Sequence, residues 1–234
     1  MRVVRGRAET PRRDREVTAE MLSRTAETGE PAIRVWAPHR QVAFGRRDAH
    51  ADGYEAAVRA AEDRGYPAIT RSVGGRAAAY TGETTLAFAH AVPVDDIRVG
   101  LDRRYEDATE TVLRALRGLG VDARRGEPPR SFCPGEHSIR GDADGTAGGG
   151  GKIVGIAQRV RQGAALVSGC AIVDEREELA DALAAVYDAL GAPFDPDTVG
   201  SVADAGGPSD PEAVARAIEE ALADGRETAV ERVG

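Results

Sequence analysis

No apolar stretch in this chain approaches 18 residues; its hydrophobic residues come in short segments broken by glycine and proline. Such punctuation forces a layered globule of short helices and strands and leaves no candidate membrane span. The first 15 residues are Arg-rich with no apolar segment behind them, which predicts no secretory signal and a cytoplasmic protein. At 234 residues the chain can bury one substantial core but not two large ones. A net charge of −8, without a basic, aromatic-rich stripe, argues against nucleic acid as the main partner. Two cysteines cannot build a disulfide framework, and His39, His50, His90 and His137 show no metal-ligand spacing, so no metal site is expected.

Helical spacing of apolar residues predicts helices over residues 17–28, 54–61, 101–119 and 179–190, and a last one from an Asp210 cap and Pro211 to Gly225. Strands are predicted over 32–36 and 41–44, joined through Pro38-His39-Arg40, and over 67–70, 121–124 and 164–173. Residues 77–80 and 84–92 read as one sheet containing a glycine turn. Residues 137–140 and 152–160 read as a strand pair around the low-complexity run 141–151, which is expected to be a mobile surface loop. No internal repeat is present, and the Pro-, Gly- and Asp-rich run 193–211 lies too near the end to divide large domains.

Of 31 basic residues, 30 are Arg and one is Lys152. Ordinary usage, lysine at about 6% of residues, would place roughly 14 lysines here. A compositional pressure has removed the rest, and an ammonium is a compact charge that the planar fork of Arg does not replace, so the survivor is a candidate functional residue. Its surroundings do not make a phosphate loop: Thr146 stands where the first glycine is needed and Ile153 where a Ser or Thr should hold magnesium. Asp142-Ala143-Asp144-Gly145 likewise fails as a calcium loop, because the twelfth position is Ile153 rather than Glu.

Two further segments carry chemistry. In Arg71-Ser72-Val73-Gly74-Gly75-Arg76-Ala77, adjacent glycines let backbone N–H groups approach a ligand while Arg71 and Arg76 could neutralise an anion; the plain alternative is a Gly-Gly hairpin. Cys133 lies in the turn-rich run Ser131-Phe132-Cys133-Pro134-Gly135, where a nearby positive group would favour a nucleophilic thiolate; the alternative is a bystander thiol. Cys170, in an apolar run, reads as inert core.

Taken in order, these segments resemble the biotin/lipoate protein ligase superfamily. The likeness rests on residues 35–46, on the run from Thr70 to Ala77, and on Gly151-Lys152-Ile153-Val154-Gly155-Ile156-Ala157-Gln158-Arg159, which is similar to the family's signature lysine strand. It implies an α+β fold, a mixed and largely antiparallel β-sheet flanked by helices, forming a single domain over residues 1–234 with its core at about 32–190 and no separate C-terminal accessory domain. It also implies an enzyme that moves an octanoyl or lipoyl group from an acyl or lipoyl carrier protein to a lysine of a lipoyl-domain acceptor. Phe132-Cys133-Pro134-Gly135 and Arg76, in place of a third glycine, resemble the cysteine-dependent transferases, which need no cofactor. In that pattern Cys133 carries the acyl group as a thioester and Lys152 hydrogen-bonds the acyl carbonyl. Arg71, Gly74, Gly75, Arg76, Ala77 and Gly155 line the acyl site, with small residues such as Ala77 and Ala79 forming the slot. The alternatives are an ATP- and Mg-dependent ligase working through a lipoyl-adenylate, with a separate accessory protein, and a non-catalytic lipoyl-binding module. Tyr80 and Thr70 depart from the family's usual His and Arg.

Overall fold

The computed structural model describes residues 1–71, 75–141 and 150–233. The expected low-complexity loop falls largely on residues 142–149, outside the described residues, and Gly74 also lies outside them.

The chain opens with strand β1 (Arg2–Arg5) and helix α1 (Pro11–Thr28), followed by β2 (Ala32–Trp36), β3 (Gln41–Phe44) and α2 (Tyr54–Glu62). Then come β4 (Ala68–Thr70), β5 (Ala78–Tyr80), β6 (Thr85–Val94) and α3 (Leu101–Gly118). The second half contains β7 (Ala123–Arg125), β8 (Ser138–Gly141), β9 (Lys152–Arg161), β10 (Gly163–Ile172), α4 (Arg176–Ala189), α5 (Pro211–Ala223) and β11 (Ala229–Arg232). Helix α1 begins six residues before its expected start. Thr10 caps it by accepting from the Arg13 N–H, and Pro11 fits the first turn, but the charged residues that follow carry no apolar period.

Strands assemble into an eight-stranded sheet, β11-β1-β2-β6-β10-β9-β8-β7, and a three-stranded sheet, β4-β3-β5. The large sheet is antiparallel except where β1 runs parallel to β2 and β11. This is the mixed, largely antiparallel α+β architecture expected. Two strand connections differ from expectation. β2 and β3, though four residues apart, belong to different sheets, and so do β5 and β6. A short turn is equally compatible with a hairpin and with a crossing between layers, and local pattern does not separate the two. β1 and β11 were not expected at all, because their pairing joins the two ends of the described chain.

Helices α3 and α5 cover one face of the large sheet, where Val112, Leu116, Val214 and Ile218 pack on Ile33 and Val154. Full burial of a side chain like Ile218 stabilises by about 1.5–3 kcal/mol. This core draws on residues from Val3 to Leu222, beyond the 32–190 span. Helix α1 lies on the opposite face, with Met21 and Leu22 on Ala89, Ala91 and Leu166. Fully buried Arg34 of β2 fixes it there by donating to Asp14, the Gly6 carbonyl and Thr18, with its guanidinium 4.0 Å from the centre of the Trp36 ring. Helices α2 and α4 pack on the outer side of the small sheet through Ala57, Ala61, Leu183 and Val186.

Candidate active site

Between the α1 face of the large sheet and the inner side of the small sheet lies a cavity of about 390 Å³. Its floor comes from side chains that alternate onto one face of neighbouring strands: Gly155 and Ala157 of β9, Ser168 and Cys170 of β10 and Ala87 of β6. Most are small, which leaves the space. From the small sheet, Ala43, Ala78 and Tyr80 face inward. Of the small residues expected to form a slot, Ala77 and Ala79 do not line this cavity, whereas Ala78 does. Strand alternation sends those two into the core on the other side.

Lys152 opens β9 and is only 1% exposed. Its ammonium donates to both carboxylate oxygens of Glu127 (3.2 and 3.1 Å), to the Phe132 carbonyl (3.1 Å) and to the Cys133 carbonyl (3.0 Å). Those contacts use all three of its N–H groups on the protein itself. Gly155 gives the lysine room, since a Cβ there would lie 3.2 Å from Lys152 Cε.

Cys133 stands with φ at +39°, a left-handed conformation that costs an ordinary residue about 1–2 kcal/mol. Three groups hold it. Its N–H donates to the Tyr187 hydroxyl (2.6 Å), which itself donates to the Ala77 carbonyl (3.0 Å); its carbonyl accepts from Lys152; and Arg71 reaches Sγ at 3.0 Å. Burial pushes the thiol up, but the Arg71 charge, a hydrogen bond from the Arg76 backbone and the Lys152 charge together outweigh it, and the pKa lies below its ordinary value. Cys170 lines the same cavity with its thiol pushed up by burial. Buried Arg71 Nε has no hydrogen-bond partner among the described residues.

The fold thus brings Arg71, Cys133, Lys152 and Gly155 to one cavity. Arg76 turns its side chain to Asp48 (3.4 Å), while its carbonyl accepts from Arg71. Gly75 is exposed and passes so close to Gly45 that a Cβ on Gly45 would meet the Gly75 carbonyl oxygen at 2.4 Å. Glu127 and Tyr187 were not singled out from sequence. A lone acid in an arginine-rich loop and an aromatic on a helix face give no local sign of their partners.

The electrostatics predict selective alkylation. Iodoacetamide should modify Cys133 with a pH midpoint below that of an ordinary thiol, while Cys170 resists until the chain unfolds. In Arg71→Met the midpoint should move upward, because desolvation is then opposed by less positive charge. Equal midpoints in the two proteins, followed by mass spectrometry, would contradict the assignment.

Among the described residues, no group of three His, Cys, Asp or Glu side chains could hold a metal ion, and no helix is long and apolar enough to cross a membrane. Residues 12–223 match the family described as the lipoyl protein ligase A/B catalytic domain. The chain is 31% identical over 157 residues to the octanoyl-[GcvH]:protein N-octanoyltransferase of Bacillus velezensis, covering 67% of this chain and 52% of that protein. It is 26% identical over 138 residues to the protein of the same name from Oceanobacillus iheyensis, covering 59% and 46%. The chain spans about half the length of the curated relatives it matches. Among solved structures, lipoate-protein ligase A bound with ATP superposes with a TM-score of 0.77 at 19% identity, covering 100% of this chain and 89% of that one. A bi-partite lipoate protein ligase from Thermoplasma acidophilum gives 0.72 at 20% identity, covering 100% and 87%. These structural matches establish a shared fold.

Proposed function

This chain belongs to the lipoyl protein ligase A/B catalytic domain family, and from that membership we propose that it transfers an octanoyl or lipoyl group to a lysine of a lipoyl-domain acceptor through a thioester on Cys133. The observation that carries the reading is the Arg71 guanidinium 3.0 Å from Cys133 Sγ inside a cavity floored by small residues. The octanoyltransferase activity for which the curated relatives are named supports it.

In the first half-reaction the Cys133 thiolate attacks the acyl carbonyl on the carrier. A C–S bond forms, the bond from the acyl carbon to the carrier's heteroatom breaks, and the heteroatom leaves with a proton taken from solvent. In the second, the acceptor lysine amine attacks the thioester, an amide forms, the thiolate is released and the amine's surplus proton passes to solvent. Negative charge develops on the carbonyl oxygen in both steps. The Arg71 guanidinium, which reaches Sγ at 3.0 Å, is the positively charged donor for it, and its buried Nε has no hydrogen-bond partner among the described residues. A preorganised donor of this kind contributes about 3 kcal/mol. Lys152 is a positioning residue: by gripping the Phe132 and Cys133 carbonyls it holds the strained cysteine turn under the acyl group. The acyl tail lies against Ala78, Ala87 and Ala157. The reaction requires neither ATP nor Mg, and its setting is the cytoplasm.

Intact-protein mass spectrometry after mixing with an octanoyl carrier protein, without ATP, tests this. The expected result is a hydroxylamine-labile octanoyl adduct on Cys133. No adduct, with lipoylation of an acceptor appearing only when ATP, Mg and lipoate are supplied, would instead establish the ligase reaction.

A further inference from the structure

Strand β8 covers β9 only from Lys152 to Gly155. Beyond it the Ile156 N–H reaches the His137 carbonyl and the Gln158 N–H takes the Tyr105 hydroxyl, so the last turn of the hairpin is a sheet edge. Along this edge β9 sends residues 155, 157, 159 and 161 to the cavity side, about 20 Å from first to last at 3.3 Å per residue. The row begins small and ends in Arg159 and Arg161, and both line the outer reach of the cavity with Arg15 of α1.

These three arginines are exposed, and none has a carboxylate partner among the described residues. Arg15 donates to the Thr70 carbonyl (2.7 Å) and Arg161 to Ser23 Oγ (2.7 Å). Their neighbours on α1 behave differently: Arg12 and Arg13 pair with Glu16 and Glu20, and Arg24 with Glu231. In a chain of net charge −8, these residues place three exposed cations without a carboxylate partner, among the described residues, at the mouth of the site. On the other side of the same edge Ile97, Val99 and Leu101 are 50%, 64% and 46% exposed. Gln158 ties them to β9 through the Leu101 carbonyl (3.0 Å) and through Arg104, which also holds the Val99 carbonyl.

Resting on the acyl-transfer reading, we propose that the surface around the outer half of β9, with Arg15, Arg159 and Arg161 on one side and Ile97, Val99 and Leu101 on the other, docks an acidic protein domain whose modified lysine enters the cavity toward Cys133. Charge complementarity selects this occupant. The cations lie at the mouth, where they steer an anionic surface, and the apolar knuckle supplies area that desolvates on contact.

The test compares wild type with R159E/R161E and with Val99→Asp, all at exposed positions. Titration calorimetry with an acidic apo lipoyl domain should show wild-type binding that weakens with salt. Both variants should bind at least tenfold more weakly, and the double variant should lose the salt dependence. In parallel, S-octanoyl-N-acetylcysteamine, which has no protein part, should acylate Cys133 in Val99→Asp, which lies outside the cavity lining, at the wild-type rate within twofold. Unchanged binding in the variants would overturn the docking surface, and so would a loss by Val99→Asp on the small thioester as large as that with the protein. Failure of wild type to react with the small thioester would count against the acyl-transfer chemistry, while the calorimetry still decides the surface.

Discussion

Cys133→Ala should reduce octanoyl transfer to a lipoyl-domain acceptor by about a thousandfold or more, because the covalent half-reaction is lost and no neighbouring group replaces it. Cys170 shares the cavity, but burial holds its thiol up, so it is a poor substitute nucleophile. A second variant separates chemistry from fold. At φ +39°, Cys133→Gly relieves the left-handed conformation and should raise stability by about 1 kcal/mol while remaining just as inactive. Together these outcomes mean that the turn is kept strained to present a thiol. Transfer assays and thermal melts check the pair. Retention of more than a tenth of wild-type transfer by either variant would remove Cys133 from the mechanism.

At Lys152 the expected loss falls on both stability and activity. Lys152→Met fills a similar volume but removes the cation from the Glu127 carboxylate, which keeps the Ser131 hydroxyl, and the ammonium donor from two carbonyls. Breaking a buried pair by removing one partner costs about 3–5 kcal/mol, and the partial exposure of Glu127 puts the expected value near 3. For a chain of this size each kcal/mol lowers the melting temperature by about 2–4 °C. Adding Glu127→Gln should restore part of the stability and none of the transfer, because the cysteine turn stays unanchored. Lys152→Arg should also be inactive. The side chain is enclosed, with Gly155 against its Cε, and overpacking of this kind costs about 1–3 kcal/mol. Near-normal transfer by Lys152→Arg would refute the anchoring role.

Much of the secondary structure was legible. β2 and β3 fall on the expected residues, and α5 starts at the expected Asp210 cap, because capping, proline placement and apolar period all act within a few residues. The same locality hid α1's first turns, where the charged run has no apolar period, and β1 and β11, which are strands only because each finds the other. In the site, Lys152 was conspicuous through composition and Cys133 through its turn. Glu127 and Tyr187 were not, since each acts on a residue far away in the chain.

By itself, then, and leaving aside the α+β class that the family resemblance implied, the sequence determined the short elements and which lysine and which cysteine were candidates. Those features depend on residue type and near neighbours. The tertiary structure alone decided that β2 and β3 part into two sheets, leaving a cavity between them. It also decided that Ala78 rather than Ala77 faces that cavity, and that Arg71 comes within 3.0 Å of a thiol 62 residues away. Layer assignment, strand parity and charge proximity are set by packing between distant segments, and no local pattern encodes them.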